Sequence, residues 1–170
     1  NDAELIDFIS PEEYSRIADI ALSLGTSMVS LKSGHRGFYV KTTDKDKFFR
    51  MGEAKPGNLD EWSDRELWAP AFKVPKFASA TGSGDSAIAG FLSAFLRGLS
   101  IEEALQYATC CGWQNVQVLD AVSGIHTWDE TTEMLAREMP HIDAHIDAKG
   151  WTWSDGYRLW AGPMDPLNKD

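Results

Sequence analysis

The residues best suited to chemistry in this sequence are concentrated in residues 81–85, Thr-Gly-Ser-Gly-Asp, which we call the glycine loop. The loop lies between a strand-like run, residues 72–77, and an apolar pattern of helical period, residues 88–96. Glycine amides carry no side-chain cover, and the first amides of a helix have no intrahelical partner, so this junction suits an anion such as phosphate. The Asp85 carboxylate would repel a phosphate, but it can accept the proton of a hydroxyl that attacks one.

Taken alone, Gly-Ser-Gly-Asp also suits a tight turn and helix cap, and so short an isolated match favours that structural role. No Gly-Lys-Ser/Thr sequence follows, which excludes a Walker A loop, and the glycine spacing differs from that of a Rossmann dinucleotide site. The position between a strand-like run and a helix strengthens the phosphate-binding interpretation.

The elements that precede the glycine loop follow from local signals. Residues 10–13, Ser-Pro-Glu-Glu, form a capping box that begins a helix, and Gly25 ends it. Residues 28–32 and 38–42 have strand-like composition and are joined by a short turn with two glycines. This arrangement predicts a β-hairpin.

The rest of the chain predicts three further helices and two irregular regions. Helices are expected over residues 84–97, over 100–119 and from 127 to just before Pro140. Residues 43–71 are polar and interrupted by glycine and proline, which predicts a loop. The tail, residues 141–170, carries three tryptophans that suit either packing or a homodimer contact, and packing is favoured because a short tail needs large side chains to stay ordered.

Several segments, in order, resemble motifs of the PfkB (ribokinase-like) carbohydrate kinase family. The glycine loop and the following residues 89–92, Ala-Gly-Phe-Leu, resemble its second signature. Residues 1–4, Asn-Asp-Ala-Glu, are similar to its Asn-x-x-Glu motif, and residues 32–37 to its Thr-Leu-Gly-x-x-Gly hairpin. Residues 121–124 resemble the loop that closes its nucleotide pocket. The ordered set is more specific than any one motif.

The resemblance covers about residues 1–138 and implies an α/β fold. The expected architecture is a three-layer α/β/α sandwich, ribokinase-like and Rossmann-like, with a largely parallel sheet and a β-hairpin. Residues 1–170 would form a single domain, the C-terminal portion of a PfkB-type kinase, and the N-terminal sugar-binding portion with its lid would be absent. The chain alone is therefore not expected to phosphorylate a sugar.

The function implied by the resemblance is transfer of a phosphoryl group from ATP, with Mg²⁺, to a sugar hydroxyl. Asp85 matches the catalytic base of the family. The residues that match its phosphate-binding anion hole are Thr81, Gly82, Ser83 and Gly84. Those that match the hairpin bordering the nucleotide are Lys32, Gly34, His35 and Gly37. Asn1 and Glu4 match residues that hold the magnesium–water–phosphate network without needing to touch the metal.

The sequence also departs from the family pattern. Ser79 stands where relatives carry an acidic or amide residue that helps to hold an activating monovalent cation, so a need for potassium is in doubt. Lys32 replaces a common Thr or Ser and adds a positive charge that could reach a phosphate. Asp85 and the glycines are retained, which argues against a pseudokinase.

Two other functions stay open. The first is a nucleoside kinase of the same superfamily, which the missing half would distinguish through its acceptor-binding residues. The second is a non-catalytic nucleotide-binding or regulatory module, which substitution of Asp85 would distinguish through its effect on turnover.

Length and charge narrow the class of protein. The 170 residues suffice for one domain with a substantial core, and the formal charge of −10 argues against a nucleic-acid partner. No apolar run is long enough to span a bilayer, so no membrane partner is expected. Cys110 and Cys111 are adjacent on a predicted helix and point in different directions, which fits reduced, buried thiols in a cytoplasmic protein.

A zinc site is the remaining candidate. His141 and His145 lie four residues apart and would share one face of a helix. No third ligand has convincing spacing, so a solvated helix face is the favoured interpretation.

Overall fold

The structure is a computed structural model that describes residues 5–168. Its strands are β1 (Met28–Lys32), β2 (Phe38–Thr42), β3 (Glu66–Ala69), β4 (Thr152–Ser154) and β5 (Leu159–Ala161). They form one five-stranded sheet in the order β1-β2-β3-β5-β4. Every neighbouring pair is antiparallel, including the predicted β1–β2 hairpin, in which Met28 pairs with Thr42.

The helices are α1 (Pro11–Ser23), α2 (Lys45–Phe49), α3 (Leu59–Trp62), α4 (Ser83–Leu96), α5 (Ile101–Asn115) and α6 (Trp128–Leu135). Short 3-10 turns occupy Leu5–Phe8, Gly34–Arg36 and Pro166–Asn168. The helix starts expected at Ser10, Ser100 and Thr127 are confirmed, since each of these residues caps its helix through a capping box. None of the helices in the described part of the chain is long and apolar enough to cross a membrane.

Helices cover both faces of the sheet because successive side chains of a strand point to opposite sides. On one face, Phe38 and Leu67 pack with residues of α4 and α5 such as Phe91 and Leu105. The other face packs against α1, and its cluster of buried side chains is Tyr14, Ala18, Val29, Tyr39, Trp68, Ala144, Ile146 and Trp151. The expected three-layer arrangement is therefore present, with the sheet in the middle.

The expectation of a largely parallel sheet is wrong, since all four strand pairings are antiparallel. The physical reason lies in the connections. β1, β2 and β3 are neighbours in the order in which the chain reaches them, and β4 and β5 form a second hairpin. Strands that pair directly with the next strand along the chain run antiparallel, whereas parallel neighbours need a crossover.

Two local expectations before the glycine loop are also wrong. Residues 72–77 do not form a strand, and only Phe72 makes an isolated bridge, with His141. Pro75 lacks the amide that a strand ladder needs.

Residues 43–71 are not simply a loop, because they contain α2, α3 and β3, and β3 is the middle strand of the sheet. All four residues of β3 are buried, so its sequence lacks the alternation that identifies a half-exposed strand.

The tail packs into the domain, which confirms the packing interpretation of its tryptophans for Trp151, a buried member of the α1-side cluster. Asp165 anchors the end of the tail. Its carboxylate, fully buried, accepts a hydrogen bond at 3.0 Å from Arg65, which also pairs with Glu102 of α5 at 2.5 Å. The tail, β3 and α5 are thus joined through one buried guanidinium group.

Candidate active site

The glycine loop lies at the start of α4, as its sequence predicts. Gly82 is the N-cap residue and has a left-handed backbone, with φ of 75°. A Cβ atom on Gly82 would lie 2.4 Å from the carbonyl oxygen of Ala121, so glycine is needed for both conformation and space. Residues 120–124 consequently pack directly against the glycine loop.

Two amides of the glycine loop bond to the residues just before it. The Ser83 amide donates to the Ala80 carbonyl oxygen at 3.2 Å, and the Thr81 amide donates to the Ser79 hydroxyl at 3.1 Å. Thr81 and Ser83 therefore shape the turn, which is a different use of their amides from the anion binding expected of them.

The next amides are better placed to bind an anion. The Ser86 amide makes an early helical bond to the Gly82 carbonyl oxygen, at 2.8 Å. Helix geometry leaves the Gly84 and Asp85 amides, which precede it in the first turn, without an intrahelical acceptor. The helix dipole adds positive potential at the same place, so this first turn favours a negatively charged group.

Asp85 carries its carboxylate on that first turn, beside Lys32 at the end of β1. The Asp85 Oδ1 atom lies 3.5 Å from the Lys32 Nζ atom, and the two side chains are 89% and 43% exposed. The lysine side chain passes over Gly84, where a Cβ atom would approach Nζ to 2.8 Å. An anion at the start of α4 would therefore have one cation and one potential proton acceptor beside it.

Residues at the start of α4 line two cavities. The larger, of about 690 Å³, lies between the hairpin and the helices α4 and α5. The expected site residues on its wall are Lys32, Gly34, His35, Gly37, Ser83 and Gly84. Gly82 and Asp85 instead line a second cavity of about 520 Å³. Asp85 thus shares a cavity with Gly82, whereas Ser83 and Gly84 face the larger cavity and Thr81 lines neither.

The hairpin residues are held in place by close packing. Gly37 has φ of 105°, and a Cβ atom on it would lie 2.0 Å from the Ala69 carbonyl oxygen, so only glycine fits. The His35 Nε2 atom lies 2.8 Å from the Asp7 Oδ1 atom, which joins the hairpin turn to the segment before α1. The hairpin that carries Lys32 is therefore held in place by its neighbours.

Asn115 is a site residue that the sequence analysis missed. Its side chain is fully buried at the end of α5, and its Nδ2 atom donates to the carbonyl oxygens of Thr81 at 2.9 Å and Asp120 at 3.4 Å. One amide group thus links the glycine loop to residues 120–124. A polar residue at the C-terminal end of an apolar helix face is the only signal that could have indicated it.

Asp120 shapes the loop on the far side of this link. Its carboxylate accepts hydrogen bonds from the Ser123 hydroxyl and from the amides of Ser123 and Val122, at 2.7 Å and 2.9 Å for the two amides. These bonds lower the pKa of Asp120 to about 2, the hydroxyl of Ser123 contributing most. The loop expected over residues 120–124 is present and internally bonded.

Helix α5 supplies a wall of the larger cavity that the sequence analysis also missed. Ala108 and Gly112, four residues apart, leave room opposite the glycine loop. Trp113 lies beside them, and its Nε1 atom donates to the Lys73 carbonyl oxygen at 2.9 Å. Small residues at helical spacing are the signal that could have predicted this space.

The remaining candidates are those of the expected magnesium network and of the expected zinc site. Asn1 and Glu4, expected to hold the magnesium network, lie outside the described residues. His141 and His145 lie on no helix, so a shared helix face is wrong, and His141 stacks on Phe72 at 4.5 Å. Within residues 5–168, no group of three His, Cys, Asp or Glu side chains is arranged to hold a metal ion.

The cysteines are buried free thiols, as expected. Burial raises the pKa of Cys110 to about 12 and that of Cys111 to about 11. Both groups are therefore protonated at neutral pH and poorly nucleophilic.

Comparison with known proteins identifies the family. Residues 3–128 match the family model described as pfkB family carbohydrate kinase, which is well over half of the chain. The chain belongs to the pfkB family. Membership makes the protein a relative of phosphotransferases that act on sugars or nucleosides.

Two members of the family are similar in sequence. A nucleoside kinase of Methanocaldococcus jannaschii is 30% identical over 81 residues, which are 48% of this chain and 27% of that protein. A 2-dehydro-3-deoxygluconokinase of Bacillus subtilis is 26% identical over 122 residues, 72% of this chain and 32% of that protein. The chain thus spans about a third or less of the length of these pfkB relatives.

Solved structures of the family share the fold. The crystal structure of ribokinase from Thermotoga maritima aligns with a TM-score of 0.54 and 23% identity, over 78% of this chain and 39% of that one. The crystal structure of the nucleoside kinase from M. jannaschii aligns with a TM-score of 0.53 and 24% identity, over 74% and 37%. The ribokinase-like fold that the sequence implied is confirmed.

Proposed function

We propose that this chain supplies the nucleotide-binding and catalytic part of a kinase that transfers the γ-phosphoryl group of ATP to a hydroxyl of a sugar or sugar derivative. The observation that carries the proposal is that Asp85 lies 3.5 Å from Lys32, on a helix turn whose residues line both cavities. Family membership supports a phosphotransferase of this general class. The substrate and the roles of individual residues are part of the proposal.

The larger cavity suits the nucleotide. Its volume of about 690 Å³ is that of a typical small-molecule site. Lys32 brings a positive charge to its wall, and the missing side chain of Gly84 lets the lysine lie directly against the first turn of α4. Phosphate groups placed here would accept hydrogen bonds from the Gly84 amide and from the Lys32 ammonium group.

Asp85 acts as the general base from the side of the second cavity. The acceptor hydroxyl oxygen forms a bond to the γ-phosphorus while the bond from that phosphorus to the bridging oxygen of ADP breaks. The Asp85 carboxylate takes the hydroxyl proton, and Lys32 with the first amides of α4 stabilises charge on the transferred group. Catalysis here is positioning and electrostatics, which phosphoryl transfer requires.

Mg²⁺ would neutralise the nucleotide phosphates when bound. Among the described residues, Asp85 contributes the only carboxylate to the walls of the two cavities. The donor set therefore fits a magnesium ion that is held chiefly by phosphate oxygens and water, as is usual for this metal. Asn1 and Glu4 are proposed to steady that water network.

A nucleoside is the alternative acceptor, favoured by the 30% identity to a nucleoside kinase over 81 residues. The two acceptor classes are distinguished by measuring the turnover of a complete kinase that contains this chain, with MgATP and a panel of sugars and nucleosides. We expect turnover with a sugar, whereas a nucleoside-only profile would establish the alternative. Because the chain covers 27% and 32% of the two relatives, we expect it to bind nucleotide by itself without phosphorylating either class.

The nucleotide site is tested by titrating the purified chain with MgADP in a calorimeter. Gly84→Ala puts a Cβ atom 2.8 Å from the Lys32 ammonium nitrogen and should weaken binding about tenfold or more. Gly156→Ala is the matched control, because a Cβ atom there meets nothing within 4 Å. Equal affinity of the two variants would contradict a nucleotide beside Gly84.

A further inference from the structure

The tail contributes to the larger cavity although it lies beyond the part of the chain that matches the family. The match ends at residue 128, whereas Ile142 lines the cavity. The wall near Ile142 is mainly apolar, and its other side chains include Phe72, Val74, Phe77, Trp113 and Val116. A segment that the family model does not include thus forms part of the proposed nucleotide site.

Residues 140–142, which we call the strap, are fixed to this wall by backbone pairing. The Lys73 amide donates to the Pro140 carbonyl oxygen at 2.7 Å, and the Ile142 amide donates to the Ala71 carbonyl oxygen at 2.7 Å. These two bonds flank the isolated bridge between Phe72 and His141. The strap therefore takes the place of a strand partner for residues 71–73.

Side chains reinforce the same contact. The His141 ring stacks on Phe72 with centroids 4.5 Å apart, and its Nδ1 atom lies 3.1 Å from the Pro70 carbonyl oxygen. Trp153 of β4 meets the other side of His141 edge-on, with centroids 6.2 Å apart. The hairpin formed by β4 and β5 thus contacts the strap through Trp153.

The other side of residues 71–74 is held by α5, through the hydrogen bond from Trp113 to the Lys73 carbonyl oxygen at 2.9 Å. The strap and α5 therefore both form hydrogen bonds with residues 71–73. The polar side chain of Thr109 on this wall donates its hydroxyl back to the α5 backbone at 3.1 Å. With Lys73 as the other polar residue lining this part of the cavity, the wall offers a flat ring mainly apolar contact.

We propose that the strap forms part of the wall against which the nucleobase packs, with Ile142 as the contacting side chain. This inference rests on the proposed nucleotide site and adds a specificity-determining residue to it. The ligand chemistry is a planar heteroaromatic base joined to a polyphosphate. Ile142 acts on the base and has no part in binding the phosphates, which lie with Lys32 and Gly84.

The test compares Ile142→Ala with Ile146→Ala in the purified chain. Both isoleucines belong to the tail, but Ile146 is buried in the α1-side cluster and does not line the cavity. Affinity is measured for MgADP and for magnesium pyrophosphate, which lacks a base. We expect Ile142→Ala to weaken ADP binding about tenfold and to leave pyrophosphate binding unchanged, because apolar contact with the base is lost. Ile146→Ala should leave both affinities unchanged.

The other outcomes overturn the inference in distinguishable ways. Equal losses for ADP and pyrophosphate in Ile142→Ala would show a general structural effect. Unchanged ADP affinity would show that the base does not pack on Ile142, while the proposed phosphate site would survive. If the unaltered chain bound neither ligand, the proposed function would fail and the inference with it.

Discussion

The Nζ atom of Lys32 and the Oδ1 atom of Asp85 lie 3.5 Å apart and join the end of β1 to the first turn of α4. The Asp85 side chain is largely exposed and that of Lys32 is 43% exposed, and an exposed ion pair contributes only about 0–1 kcal/mol to folding. The pair is therefore better explained by function than by stability. A cation beside a helix start attracts phosphate, and the carboxylate next to it is placed to accept a proton.

Lys32→Met should weaken binding of MgADP by about ten- to a hundredfold, since a charge-assisted hydrogen bond contributes about 1.5–3 kcal/mol. The free energy of unfolding should change little, because the side chain is exposed. Calorimetric titration and urea unfolding measure the two quantities.

Lys45→Met is the control for Lys32→Met. Lys45 forms a comparable exposed ion pair with Asp60 at 2.5 Å and lines neither cavity. Nucleotide affinity should be unaffected by this change. If the two lysine substitutions weakened MgADP binding equally, Lys32 would act only through the overall charge of the protein.

Asn115→Leu should destabilise the chain and also weaken nucleotide binding. The substitution removes the donor to the carbonyl oxygens of Thr81 at 2.9 Å and Asp120 at 3.4 Å, and loss of such a hydrogen bond costs about 0.5–1.5 kcal/mol. It also frees the glycine loop from residues 120–124, so the first amides of α4 lose their alignment. Urea unfolding and MgADP titration are the measurements.

Gln117→Leu provides the comparison for Asn115→Leu, because within residues 5–168 the Gln117 side chain bonds only to the Trp113 carbonyl oxygen, four residues earlier in α5. It should leave the affinity for MgADP unchanged. If Asn115→Leu lowered stability while preserving that affinity, Asn115 would support the fold and have no part in positioning the site.

His141 should make the stability of the chain depend on pH. Burial lowers the pKa of His141 below its usual value of about 6.5, and the positive charge of Arg158 acts in the same direction. Because the unfolded chain then binds the proton more readily, the stabilisation is present above about pH 6.5 and is lost as the pH falls through the lowered pKa.

His141→Phe tests this pH dependence, since it retains a ring on Phe72 but cannot be protonated. The free energy of unfolding should fall less steeply between pH 7.5 and pH 5 in the variant than in the unaltered chain. Parallel pH profiles of the two proteins would show that His141 does not titrate in this range.

The features that the sequence predicted correctly depend mostly on local patterns of residues. The capping boxes, the hairpin and the glycine loop depend on neighbouring residues, and each lies where it was expected. The motif set indicated the family because its glycines and Asp85 keep their order and spacing. The resemblance assigned Lys32 and Asp85 to one site, and the structure shows their side chains 3.5 Å apart.

The features that were missed depend on contacts between distant parts of the chain. β3 is buried on both faces and shows no alternation, so its four residues gave no strand signal. Asn115 acts on Thr81 from 34 positions away, and Ile142 reaches the cavity through pairing with Ala71. The antiparallel sheet likewise depends on which strands meet, which no single segment determines.

The most direct test of the account is Asp85→Asn in a complete kinase that contains this chain. Turnover with MgATP and acceptor should fall by about a thousandfold or more, because the amide cannot take the proton, while the affinity for ADP stays within about twofold. Unchanged turnover would contradict the assignment of Asp85 as the base. A parallel loss of ADP affinity would show instead that the carboxylate serves to hold the nucleotide site together.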